Sequence, residues 1–359
     1  MTKRILIINP FGIGDVLFST PLIATIKEKY SGCYIGYICN IRTEEILAAN
    51  PGIDEVFIFE RDEYRELWKK SKLECLKKLC DFWKEIKKRR FDLLFDLSLG
   101  REYAFLCWLI GIRERRGFNY KGRGRFLTHK IQFDGFSGRP VAEYYLDAIR
   151  DKGQGTRDKG LILATTDKDK EYIDAFLKKA GIKEQDTLVG IAPGGGASYG
   201  KEKSHYKRWG CEKFAVLADR IASCGAKPIL LGGPKEKDLI RDVKLKMQGK
   251  PLMGPDAKIR EMACLIKRCN VLVCNDGGLL HIAVSQDTPT VSIFGPTDEK
   301  VYGPYPASKK HIVVTNNADC RPCYRRFRLP ECTDRKCMED LSVDSVFNAL
   351  SKFIQEVGT

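Results

Sequence analysis

The sequence predicts a two-domain α/β protein, and three observations carry that prediction. Short β-rich runs alternate with amphipathic helical runs along most of the chain, as strands joined by crossover helices do. The alternation lapses in the polar, glycine-bearing stretch "RDKGQGTRDKG" that begins at Arg150, and then restarts. A length of 359 residues is also long for one core. The halves read as Rossmann-like domains, 1–165 and 166–340, facing a central cleft where a ligand is expected. A closing helix over 341–359 is expected to pack back on the N-terminal domain.

Taken in order, "RILIIN" is the first strand, and a glycine turn leads from it to a helix ending near "ATIKEKY". "CYIGYIC" and "EVFIF" are the next strands, with the short helix "EEILAAN" between them stopping before Pro51. From Tyr64 to Arg90, Leu67, Trp68, Leu76, Leu79, Trp83 and Ile86 recur at helical steps, so one long helix is predicted. "FDLLFDLS" is a strand and "YAFLCWLIG" the helix after it. Beyond the linker, the helix "DKDKEYIDAFLKKAG" ends at a C-cap glycine. The strands "TLVGIAP", "KPILLGG", "NVLVCN" and "TVSIFG" then alternate with helices, and "SVDSVFNALSKFIQEV" closes the chain.

A hydrophobic fraction of 43% and a charged fraction of 30% describe an ordinary globular chain. The apolar run after "MTKR" is too short for a signal peptide, and "YAFLCWLIGI" is too short to span a bilayer, so a cytoplasmic protein is expected. The formal charge of +15 calls for an anionic partner. No finger, RNP-type or helix-turn-helix pattern is present and the lysines are not striped, which argues against nucleic acid.

Three loops follow predicted strands in the second half, where open α/β sheets bind ligands. In "CNDGGLLHIA", Asp276, Gly277 and Gly278 open a helix whose free amides and dipole suit a phosphate, with His281 in its first turn. Asp276 could equally be a simple N-cap. "APGGGASYGKEKSHYKRWG" is glycine-rich and basic but contains no P-loop, and its Lys207 could reach a phosphate. "LLGGPKEKDL" places Glu236 where a carboxylate could accept a ribose or sugar diol. Near the start, "INPFGIGDVLFSTP" has Gly12 and Gly14 but lacks the third glycine of a dinucleotide fingerprint, since Leu17 stands there. A carboxylate, Asp15, follows the second glycine instead.

In combination and order, these features resemble glycosyltransferase family nine, the lipopolysaccharide heptosyltransferases. The G-x-G-D-x-L…P opening, K-x-W before a helix, G-G-P-x-E, D-x-G-x-x-H, "FDLLFDLSLG", "SIFGPTDEKVYGP" and the terminal cysteine run carry the likeness over essentially the whole chain. The resemblance implies a GT-B fold and inverting, metal-independent transfer from a nucleotide sugar, typically ADP-L-glycero-D-manno-heptose, with no cofactor required. It implies Asp15 as general base, which inversion requires on the acceptor hydroxyl. It also implies that Lys207, Gly277, Gly278 and His281 serve the phosphates, Asp276 lies beside them, and Glu236 meets the ribose. Where family members usually carry Thr or Ser after the aspartate, this chain has Gly277. A GT-B transferase using another nucleotide sugar, a Rossmann oxidoreductase and a non-catalytic anion- or lipid-binding module are the competing readings.

The implied acceptor is an anionic lipid A/Kdo-type glycolipid, met by basic groups in the N-terminal half. "IRERRGFNYKGRGRF" offers Arg113, Arg115, Arg116, Lys121, Arg123 and Arg125. Such an acceptor places the protein peripherally on the cytoplasmic face of the inner membrane, and the basic Trp/Leu helix after Tyr64 is one surface that could rest there. Of fourteen cysteines, Cys320, Cys323, Cys332 and Cys337 form a C-x2-C-x8-C-x4-C run that could hold a structural metal.

Overall fold

The computed structural model describes residues 2–150, 159–196 and 203–354. The chain divides into two compact units, Met1–Phe136 with Val141–Lys159, and Ser137–Pro140 with Gly160–Thr359. Most of the predicted linker and residues 197–202 of the basic loop lie outside the described residues.

The first unit carries six parallel strands, β1 (Arg4–Ile8), β2 (Tyr34–Cys39), β3 (Glu55–Ile58), β4 (Leu93–Asp96), β5 (Glu114–Tyr120) and β6 (His129–Phe133), in the order β3-β2-β1-β4-β5-β6. The second carries β7 (Leu188–Ala192), β8 (Lys227–Leu230), β9 (Leu252–Met253), β10 (Val271–Asn275), β11 (Thr290–Phe294) and β12 (His311–Thr315). Its order, β12-β11-β10-β7-β8-β9, repeats that of the first sheet, and all its pairings are parallel too. This is the doubly wound dinucleotide-fold order twice over. Each sheet reverses direction of growth between its first and fourth strands, and the crevice beyond their carboxyl ends is the expected ligand position. The central strands are apolar throughout because helices cover both faces; Ile5, Leu6, Ile7 and Ile8 are wholly buried, as are Val271, Leu272 and Val273.

Several elements differ from expectation. The helix predicted over Tyr64–Arg90 is two helices, Arg61–Lys70 and Lys72–Lys88. Ser71 between them is extended, and its side chain accepts from the Glu74 N–H as a cap. The first helix likewise breaks at Ser19 into Ile13–Phe18 and Thr20–Lys29. The basic stretch after Gly111, assigned no element from the sequence, supplies β5. The closing helix, expected against the first unit, is Val343–Ile354 and belongs to the second unit. It buries Val346 and Leu350 in the second unit's core, against β10, β11 and the helix Cys211–Ser223. Its apolar stripe joins that sheet's core cluster, and Arg220 stacks on Phe347 at 3.9 Å.

Candidate functional site

In the second unit, the loops after β7, β8, β10 and β11 converge at the switch point. Asn275 ends β10 and holds the convergence together. Its amide donates to the Pro193 and Gly194 carbonyls at 2.8 and 3.0 Å, and its oxygen accepts from the Trp209 N–H at 3.2 Å. Trp209 is itself buried and donates its indole N–H to the Leu341 carbonyl, so the lysine two residues earlier is held by a fixed segment. Lys207 therefore reaches Asp276, Nζ to Oδ2 at 2.6 Å, with both side chains buried. The Thr297 hydroxyl donates to the same Oδ2 at 2.7 Å. Thr297 and the bracing role of Asn275 were not legible as site features; the loop after β11 had no chemistry marked on it beyond its family likeness.

Asp276 is thus no helix cap. The cap of the helix Gly278–Ser285 is Gly277, which has no side chain to bond the first-turn amides. Those N–H groups and the dipole's positive end make an anion site beside the Lys207 ammonium. Gly277 faces Gly195 closely, and a Cβ on it would lie 3.3 Å from the Gly195 carbonyl carbon, so the glycine keeps both loops in contact. His281 is buried at 3% exposure, near enough to Asp276 and Lys207 to feel both charges, and burial lowers its pKa to about 4. The imidazole is neutral at ordinary pH, so the charge for an anion comes from Lys207 and the amides.

Glu236 is more engaged than expected. Its carboxylate accepts from the Gly233 N–H at 3.0 Å and the Gly196 N–H at 3.4 Å, tying two glycine loops together. A Cβ on Gly194 would run into the Glu236 carboxylate, so a larger residue there would push that side chain off its loop contacts. A carboxylate keeps lone pairs for a further donor such as a ribose hydroxyl. Beside it, a cavity of about 190 Å³ at the ends of β8 and β9 is lined by apolar groups such as Leu230, Ile240 and Met253 and by the ion-paired Lys237 and Asp256.

In the first unit, the loop after β1 is braced from both sides. Asn9 donates to the Asp15 carbonyl at 3.1 Å, and Asn40, after β2, donates to the carbonyls of Pro10 and Phe11. Gly12 caps the short helix, and Asp15 is its third residue, half-buried, not its N-cap. A Cβ on Gly12 would stand 3.8 Å from the Asp15 Oδ2, at ordinary van der Waals distance. Across the same switch point, Asp96 ends β4 opposite Ile8. It is 3% exposed, one oxygen accepts from the Ser98 N–H, and burial raises its pKa to about 6. This carboxylate was missed, although an acid ending a buried apolar strand was visible in "FDLLFD".

The basic acceptor set splits. Arg115 is buried, and its guanidinium donates to the carbonyls of Phe126, Ile112 and Arg113; it braces the start of β5 and is withdrawn from solvent. Arg116 is paired with Glu114 at 2.6 Å. Arg113, Lys121, Arg123 and Arg125 are exposed. Register sets Arg115 level with Leu94, at the amino end of the sheet, so Arg113 lies on the edge opposite Asp15. The four C-terminal thiols are free. Burial raises Cys337 to about 11, with Cys320, Cys323 and Cys332 adding to the effect. Among the described residues, no three His, Cys, Asp or Glu side chains are grouped to hold a metal ion.

A family model for glycosyltransferase family 9 (heptosyltransferase) matches residues 79–332. The chain belongs to this family. It is similar to lipopolysaccharide heptosyltransferase 3 of Escherichia coli, 24% identical over 304 residues that cover 81% of this chain and 83% of that one. Among solved structures it resembles a family 9 glycosyl transferase from Veillonella parvula, with a TM-score of 0.83, 23% identity and coverage of 99% and 98%. It also resembles the E. coli ADP-heptose LPS heptosyltransferase II, with a TM-score of 0.77, 20% identity and coverage of 99% and 100%. The fold is GT-B and the protein is a glycosyltransferase, which sets aside the oxidoreductase reading. No described helix is long and apolar enough to cross a membrane.

Proposed function

We propose that this family 9 transferase moves heptose from ADP-heptose to an anionic, lipid A/Kdo-type inner-core glycolipid, with inversion and without a catalytic metal, at the cytoplasmic face of the inner membrane. The observation that carries the donor half is the buried Lys207–Asp276–Thr297 group beside the uncapped helix at Gly277. The diphosphate lies on the Gly277 and Gly278 amides near Lys207, Glu236 accepts from the ribose, and the cavity beside it takes the nucleobase. Asp15 removes the proton of the acceptor hydroxyl as its oxygen bonds to the anomeric carbon. The bond from that carbon to the diphosphate oxygen breaks on the opposite face, and nucleoside diphosphate leaves. Its charge is met by dipoles and one ammonium, which act where the charge develops.

Calorimetric titration with ADP-heptose, ADP, a UDP-sugar and NADH tests the donor. Binding of ADP-heptose and ADP above the others is expected; a preference for the UDP-sugar would keep the reaction but discard heptose. Asp15→Asn should lower turnover by about 10²- to 10⁴-fold while donor affinity holds. Loss of donor binding in that variant would overturn the role given to Asp15.

A further inference from the structure

The hairpin of helices Arg61–Lys70 and Lys72–Lys88 leaves a surface that the first unit does not cover. The first of these helices buries no side chain. At its end and the start of the next, Trp68 is 46%, Leu73 80% and Leu76 47% exposed. Lys69, Lys70, Lys72 and Lys77 are exposed among them, against the acids Glu66 and Glu74. Lys72 Nζ stands 5.8 Å over the Trp68 ring, so the apolar and basic groups form one patch. Isolated exposed leucines need no explanation, but a tryptophan and two leucines ringed by lysines suit the boundary between headgroups and acyl chains.

The position of the hairpin selects this patch. Phe59, just past β3, stacks on Tyr64 at 4.6 Å and packs on Phe82 at 5.1 Å. These contacts set Tyr64 and Phe82 level with the carboxyl end of β3. Leu73 lies nine residues before Phe82 on the same helix, or about 13 Å beyond that edge at the helical rise. The tip therefore projects from the edge of the sheet that also holds Asp15. A second exposed apolar stripe, Phe105, Trp108 and Leu109, lies on a helix running back toward the amino edge, where Arg113 precedes β5.

We infer that the Trp68–Leu73–Leu76 tip docks the protein on an anionic lipid bilayer, inserting its apolar side chains at the headgroup boundary with the lysines on anionic headgroups. This inference rests on the reading that the acceptor is membrane-borne, and its test uses vesicles that carry no acceptor. Flotation of the full chain is compared on phosphatidylethanolamine–phosphatidylglycerol and on phosphatidylcholine vesicles. The wild type should bind the anionic vesicles preferentially and release with salt. Trp68→Ser/Leu73→Ser and Lys70→Glu/Lys72→Glu should each weaken partitioning by at least about tenfold, while Trp108→Ser/Leu109→Ser keeps it. All three pairs lie on the surface, and unchanged ADP binding verifies their folding; if no ADP binds even to wild type, the donor reading fails and the vesicle result still stands. Absence of wild-type binding to anionic vesicles, full binding by both tip variants, or loss confined to Trp108→Ser/Leu109→Ser would overturn the inference.

Discussion

The Lys207 ammonium lies 2.6 Å from Asp276 Oδ2, with both side chains buried and the Thr297 hydroxyl on the same oxygen. Such a pair adds little net stability when intact, yet removing one partner strands the other charge. Lys207→Ala should therefore destabilise the second unit by about 3–5 kcal/mol, and Thr297→Val by about 1 kcal/mol. Urea unfolding measures both. A Lys207→Ala chain as stable as wild type would mean that Asp276 is not held as an ion in the folded protein.

Asp96 gives a pH signature of definite sign. Burial holds its native pKa at about 6, above the ordinary carboxylate value of 3.8. Between those values the native state keeps a proton that the unfolded chain has released. Stability is lost as pH rises through this window, and the full cost of about 3 kcal/mol applies above pH 6 or so. In Asp96→Asn this slope disappears. Its Tm relative to wild type should climb from pH 4 to pH 7, and a constant difference across that range would contradict a raised pKa.

His281 acts in the opposite direction. Its native pKa of about 4 lies below the ordinary 6.5 because burial disfavours the imidazolium. The unfolded chain then takes up a proton first, so stability is lost as pH falls from about 6.5 toward 4, by up to about 3 kcal/mol. His281→Asn should flatten the acid limb of the Tm profile. Proton chemical shifts of a native imidazole titrating near 6.5 would show that the ring is instead solvated.

Arg115 and Arg123 separate bracing from binding. Arg115→Ala leaves the carbonyls of Ile112, Arg113 and Phe126 without their donor and should cost about 2–4 kcal/mol. Exposed Arg123→Ala should change stability by less than about 0.5 kcal/mol. With acceptor present, only the latter's effect should lie in KM at unchanged stability. Equal losses in thermal melts would remove the distinction.

Much was legible before any coordinates. The period of the apolar residues determined the two parallel sheets, because buried crossover strands leave unbroken apolar runs such as "RILII" and "VLVCN". Glycines and polar groups after buried strands marked the loops at their carboxyl ends, and the family resemblance supplied the roles expected of Asp15, Lys207, Glu236 and Asp276. The tertiary structure decided what long-range contacts decide. Arg115 became a brace because carbonyls 2–11 residues away close around it. The break at Ser71 is the exception, a local S-x-x-E cap present in the sequence itself without a glycine or proline. His281 lost its charge to burial, the last helix joined the second core, and Thr297 reached Asp276 from 21 residues away. Periodicity and turn chemistry are local properties that a sequence displays directly. Burial and hydrogen-bond partnership depend on what packs from elsewhere in the chain, and only folding brings those groups together.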